Sequence, residues 1–305
     1  MKLTFGQKLS QDFRKHKAVY IMAIPMILYY VLFHYMPMYG TVIAFKDYSP
    51  ALGISGSPWV GWQNFKDFFS SIYCWRLIRN TLSINLKLLI FGFPIPIIFA
   101  VLLNEVRSTP FLKGIQTISY LPHFISTMVL CGMIVDFCAR NGIITQLVQL
   151  LGGRNSNLLL KAENYQTIYV ISDIWQTLGW NSIIFYAAIT GIDQELYEAA
   201  ETDGANRFQR IIHVTIPGIK QTIIIMLILR LGQMMSLGYE KTILLYNPNT
   251  YETADVISTY VYRKGLLDFD YSYSTAVGLF NSLINFFMLV FANKLSKKYN
   301  DTSLW

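Results

Sequence analysis

The sequence predicts an all-α integral membrane protein with six transmembrane helices, on three observations. Of its 305 residues, 53% are hydrophobic and only 14% charged, and the mean hydropathy is +0.37. A soluble domain carries about a quarter charged residues. Apolar segments recur at about the 20-residue length that a helix needs to cross a hydrocarbon core, far too long for the strands of a soluble α/β protein. No ten-residue alternation of the barrel kind is present. Only helices and closed barrels satisfy their backbone polar groups in lipid, so the segments read as helices.

The six spans run over residues 18–37, 82–103, 115–137, 165–189, 219–237 and 276–292. The first follows a basic arm with Lys2, Lys8, Arg14, Lys15 and Lys17 and ends without an A-x-A pattern, so it is a retained helix rather than a cleaved signal. Pro25, Pro94, Pro96 and Pro122 fall in or near the spans, where neighbouring helices rescue the lost backbone bonds, and kinks are expected there. Between the first two spans, Trp59, Trp62, Phe65, Phe68 and Phe69 predict an amphipathic stretch lying on the membrane. The tail after Lys298 is short and polar, and no internal repeat is visible, so residues 1–305 read as one membrane domain.

The net charge of +7 follows the same topology. With both termini cytoplasmic, the inner segments hold Arg107, Lys113, Arg207, Arg210, Lys220, Lys294, Lys297 and Lys298 besides the basic arm, and the outer loops are sparser in Lys and Arg. Such a bias favours both ends inside, and no nucleic-acid partner is expected. Cys74, Cys131 and Cys138 lack metal-ligand spacing, and an odd count leaves at least one unpaired; no function is assigned to them. His16, His34, His123 and His213 are scattered, without a zinc-binding spacing. The dipeptide Gly-Lys never occurs, so there is no P-loop, and there is no G-x-S-x-G elbow. No catalytic residue, metal site or resident cofactor is expected; a transporter with this sequence draws its energy from elsewhere.

The most informative segment is the loop 191–218, between the fourth and fifth spans. Asp193 is a fitting N-cap, and Glu195 lies in the first turn, where an acid favours the helix dipole. The helix runs through Glu198, Ala199 and Ala200, and Gly204 supplies the backbone freedom to end it. A second helix is expected from about Ala205 to Pro217. The small residues Ala199, Ala200, Gly204 and Ala205 suit close approach by another backbone, or merely a compact turn.

The triplets Glu198-Ala199-Ala200 and Asp203-Gly204-Ala205, followed by Ile216-Pro217, resemble the EAA loop of permease subunits in binding-protein-dependent ABC importers. Weaker likenesses point to carbohydrate importers of the oligosaccharide and polysaccharide branch: Phe33 to Gly40, Ala44 to Tyr48, Gly56 to Gly61 and Ala276 to Phe280. The resemblance implies the type I ABC importer permease fold with a cytoplasmic coupling helix, in a prokaryotic plasma membrane. It implies that Glu198, Ala199, Ala200, Asp203, Gly204, Ala205 and Pro217 couple to an ATPase, with Glu198 contacting that subunit and Gly204 making the turn. It further implies a homologous sister permease completing a heterodimer, two ATPase subunits that bind ATP and Mg, an extracytoplasmic solute-binding protein and an oligosaccharide substrate. An importer permease for a non-carbohydrate solute, or an ion-coupled secondary transporter, are the alternatives.

Polar groups inside spans are expensive and face a cavity or another helix. Lys87, Asp173 and Trp175 are among them, and Gln176, Trp180, Asn181, Arg230, Gln233, Asn281 and Asn285 are the expected lining of the solute pathway. Amides suit sugar hydroxyls, and tryptophan suits an apolar ring face. Arg230 either holds a carboxylate of a uronic-acid unit or pairs internally with Asp173.

Overall fold

The computed structural model describes residues 13, 15–153, 155–300 and 303–304; for 299 and 300 it gives the backbone alone. Most of the basic arm expected to mark the cytoplasmic N-terminus lies outside this range. The chain is helical throughout, and the described residues contain no β-strand, only an isolated bridge between Lys46 and Trp59. We number the helices α1 (Lys17–Phe45), α2 (Gln63–Ser70), α3 (Cys74–Asn104), α4 (Thr109–Tyr120), α5 (Thr127–Cys138), α6 (Ile143–Leu150), α7 (Ala162–Thr190) and α8 (Gln194–Thr202). Then follow α9 (Arg207–Gly218), α10 (Lys220–Leu231), α11 (Tyr239–Leu245), α12 (Ile257–Tyr262) and α13 (Tyr271–Asn300).

By length and composition α1, α3, the α5–α6 segment Thr127–Leu150, and α13 can each cross a membrane, and the bent pair α9–α10 makes a fifth. Helix α7, with 29 residues, is about 43 Å long. Its core-facing Gln166 and Asp173 dilute the apolar run that its length alone would suggest.

The prolines account for where the expected spans hold and where they do not. In α3 the backbone passes Pro94 and Pro96 by way of a π-turn over Leu88–Gly92, so the helix continues. At Pro122 it does not. The span expected over 115–137 is split: α4 ends at Tyr120, a 3-10 turn covers Leu121–Phe124, and Ser126 caps α5 by accepting the Val129 N–H. The span expected over 219–237 is also too long, because α10 stops at Leu231 and the chain turns through Gly232 to Gly238 before α11. The aromatic stretch after α1 differs too. Phe65 and Phe68 of α2 are buried, against Ala44 and Ala276 and against Leu77 and Val277, while Trp59, Trp62 and Phe69 stay exposed. A helix facing the protein with those two rings is docked to the bundle rather than laid flat in lipid.

Helix α7 is the axis of the bundle. One cluster joins its Tyr165, Tyr169 and Val170 to Ile84 and Leu88 of α3 and to Leu130, Cys131 and Ile134 of α5. A second, nearer the 191–218 loop, joins Phe185 and Ile189 to Ala100, Val101 and Ile219. All three cysteines are buried and free. Gly179 is where α4 crosses α7: a Cβ there would overlap the Ser119 carbonyl. At the end of the bundle opposite the loop, fully buried Asp255 accepts two hydrogen bonds from Arg263, at 2.9 and 2.7 Å, with Arg76 at 3.5 Å. Burial alone would lower the Arg263 guanidinium, but the Asp255 carboxylate holds it above the ordinary arginine value. Asn80 ties this node to α3 by donating to the Asp255 and Glu252 carbonyls.

Candidate functional site

The 191–218 loop folds as a helical hairpin. Asp193 caps α8 by accepting the Glu195 N–H at 3.0 Å. At the other end the Ala205 N–H reaches the Ala200 carbonyl at 2.9 Å and the Gly204 N–H reaches Glu201 at 3.0 Å. That pair of bonds is the Schellman stop, which places its C′ residue in the left-handed region. Gly204 has φ +81°. The next helix begins at Arg207, two residues later than the sequence suggested, because Asn206 and Gln209 form a reciprocal capping box at 2.9 and 2.8 Å. Pro217 sits in the first turn of the last segment of α9 rather than beyond it, and the chain bends by 60° between α9 and α10.

Two side-chain links hold the hairpin shut, Tyr197 to Thr215 at 3.0 Å and Arg210 to Glu201 at 3.0 Å. Nothing on α8 is buried. Glu198, Ala199, Asp203 and Pro217 are exposed, and Ala200, Gly204 and Ala205 line a cleft of about 330 Å³ with Gln209 and His213. Leu196 and Phe208 stand 55% and 69% exposed on this polar loop. Neither they nor Tyr197 were among the expected coupling residues, because single apolar residues are common on any protein surface and it is the fold that brings Leu196 and Phe208 onto one loop.

The second site is a pair of adjoining cavities, about 430 and 630 Å³, between α3, α7, α10 and α13. Leu88, Asp173, Arg230 and Gln233 line both. Of the expected pathway residues, Asn181 joins the first and Gln176 and Asn281 the second. Two others do not reach them. Trp180 stacks on His123 at 4.4 Å, and Asn285 is a helix tie, accepting the Met235 N–H and donating to Ser236, both at 2.8 Å. That tie satisfies the backbone where α10 ends.

The expected Arg230–Asp173 pair is absent. Asp173 instead takes Lys241 of α11 at 3.2 Å, while Arg230 donates to the Asn85 side-chain oxygen at 3.1 Å. The turn after Leu231 brings α11 back into the bundle, which delivers Lys241 to the Asp173 carboxylate. Lys241, Asn85 and Ser258 were missed; Asn85 alone had a signal, standing on one α3 face with the equally polar Thr81. Asn281 Oδ1 and Ser258 Oγ, both in the larger cavity wall, are buried without a hydrogen-bond partner among the described residues. Buried oxygens of that kind are open to a ligand hydroxyl or to water.

An all-helical membrane bundle with a protruding helical hairpin beneath a polar cavity defines a transport permease, and the family match agrees. The chain belongs to the family of binding-protein-dependent transport system inner membrane components, whose model matches residues 92–301. It is 44% identical over 306 residues to the protein LplB of Bacillus subtilis (strain 168), covering 99% of this chain and 96% of that one. It is 42% identical to the polygalacturonan/rhamnogalacturonan transport system permease protein YteP of the same organism, covering 95% and 91%. Among solved structures it matches a chain of a bacterial alginate ABC transporter in complex with an alginate pentasaccharide-bound periplasmic protein. That likeness has a TM-score of 0.89 at 40% identity and covers 97% of this chain and all of that one.

Proposed function

We propose that this chain is the permease subunit of an ABC importer that carries an oligosaccharide into the cytoplasm, driven by ATP hydrolysis in a separate subunit. The observation that carries the reading is the hairpin 191–218, whose closed turn leaves Leu196, Glu198 and Phe208 exposed together on one loop, a surface suited to docking against another protein. In this reading Glu198, Ala199, Ala200, Asp203, Gly204, Ala205 and Pro217 form the coupling surface for the ATPase, which itself holds ATP and Mg. The names of the relatives favour carbohydrate over other solutes, and so does a cavity walled by amides.

A homologous sister permease supports the other half of the pathway. Residues 17–38 of α1 bury nothing within this chain, so that apolar rod has its packing surface still to be covered. Two ATPase subunits and an extracytoplasmic binding protein complete the assembly, with both termini cytoplasmic as the Lys and Arg bias suggests. Isolation of the membrane complex in mild detergent tests this: an ATPase and a second permease should co-elute. Recovery of the chain without either, in a preparation that still takes up its solute, overturns it.

A further inference from the structure

We propose that the substrate is an acidic oligosaccharide and that Arg230, set in place by Asn85, binds its carboxylate within the membrane; this rests on the permease reading above. Four charged side chains line the two cavities: Asp173, Arg230, Glu240 and Lys241. Lys241 is buried and neutralised by Asp173, and its ammonium also lies 4.6 Å over the Tyr169 ring. Glu240 is exposed at the mouth of the larger cavity, where solvent screens it. The smaller cavity is lined by Asp173 and Arg230 alone among charged groups, and Asp173 is already matched. Arg230 is therefore the cavity cation that forms no ion pair among the described residues.

Its one side-chain partner is neutral. Asn85 is fully buried, donates to the Thr81 carbonyl at 3.0 Å, and so presents its oxygen to the Arg230 guanidinium at a fixed point. A guanidinium has five N–H donors, and one bond to an amide leaves a fork free for a planar carboxylate. No carboxylate lies within ion-pair distance of it among the described residues. Lys87 of α3 donates to Gln166 at 2.8 Å and lines neither cavity. Holding a lone arginine inside a membrane is costly, and the cost is met when an anion arrives. Asn281 Oδ1 and Ser258 Oγ, both without partners, then remain to accept sugar hydroxyls beside the bound carboxylate. Asn85 is a positioning residue; Arg230 touches the substrate.

The test uses the whole importer in nanodiscs and two probes, an α-1,4-linked tetragalacturonate and the same oligosaccharide with its carboxyls reduced to alcohols. The unaltered complex should bind the uronate about tenfold to a hundredfold more tightly than the reduced form, the range of one charge-assisted hydrogen-bond pair. Arg230→Gln should abolish that preference, the affinity for the uronate falling at least about tenfold more than that for the reduced probe. Asn85→Leu should reduce the preference in part, and the conservative Asn85→Gln should restore some of it. Equal binding of both probes by the unaltered complex, or an Arg230→Gln variant that weakens both alike, overturns the proposal; the latter would assign Arg230 to an ion pair with the sister subunit. ATPase activity stimulated by the binding protein is measured in parallel. Its survival with no charge preference rejects the carboxylate site alone, whereas its absence from the unaltered complex rejects the permease reading.

Discussion

Replacing Gly204 separates backbone strain from surface contact at the hairpin. Its φ of +81° is a left-handed conformation, and a Cβ built there meets nothing within 4 Å. Alanine therefore adds no clash, and the whole effect is the left-handed penalty, about 1–2 kcal/mol for an L-residue. That is enough to reduce the population of the native turn about 5- to 30-fold relative to alternatives. The links Tyr197–Thr215 and Arg210–Glu201 keep the two helices together, so the damage stays local. Asparagine tolerates the left-handed region far better than alanine. Aspartate shares some of that tolerance but sets a further negative charge beside Asp203 on the exposed face. With equal amounts in the membrane, ATP-driven uptake into proteoliposomes should fall in the order Gly204, Asn, Ala, with Gly204→Asp inactive. All four inserting normally, but Ala exceeding Asn, would refute the backbone argument; full transport by the Asp variant would refute docking itself.

Two further perturbations test the frame that holds these sites. Gly179→Ala should destabilise the bundle by about 1–3 kcal/mol, because its Cβ meets the Ser119 backbone rather than a movable side chain; a melting temperature in detergent equal to that of the unaltered chain would show that α4 can yield. Asp255→Asn removes the carboxylate that Arg263 and Arg76 share and should cost about 1.5–3 kcal/mol, the range of hydrogen bonds to charged groups, because the two guanidinium groups left behind are 23% and 30% exposed. Thermal unfolding followed by tryptophan fluorescence measures it, and a loss below 1 kcal/mol would mean that water reaches the two guanidinium groups.

How much of this was legible in the sequence depended on whether the cause was local. The caps at Asp193 and the stop at Gly204 are set by a few neighbouring residues, and both could be read. Helix ends that rely on distant partners could not. Gly232 is the one local mark of the end of α10, and an isolated glycine in an apolar run does not settle it; the turn there is stabilised by Asn285, which accepts the Met235 N–H fifty residues away, and by Gly232 lying close against Leu289. Pro122 was visible but ambiguous, since Pro94 and Pro96 occupy a continuous helix and Pro122 interrupts one. The difference is that Gly179 lets α4 press onto α7 at that level, a tertiary contact. The same holds for charge. Arg230 and Asp173 were seen as intramembrane ions, but Lys241 lies in a segment too short to count as a span, so the obvious pairing was the wrong one.

The two sites are joined through a single bend in the chain. Ile219, 1% exposed, is gripped by Ala100, Val101, Phe185 and Ile189 at the 60° bend, and Gly218 is held so close to Ile192 that a Cβ would approach its Cδ1 to 2.6 Å. The hairpin lies on one side of that pivot and α10 on the other. Arg230 is ten residues beyond Lys220, about 15 Å along the rod. A rotation of about 10° at the pivot, transmitted by an intact helix, moves the guanidinium by about 2.6 Å. The Arg230–Asn85 bond is 3.1 Å long, so a displacement of that size breaks it. Asn85 and Asp173 belong to α3 and α7, and Lys241 is paired with Asp173. A push on the hairpin that turned α10 about this bend would therefore withdraw Arg230 from Asn85 and leave the Asp173–Lys241 pair in place. The lever works only if α10 has no hinge between Lys220 and Leu231, and that stretch contains neither glycine nor proline.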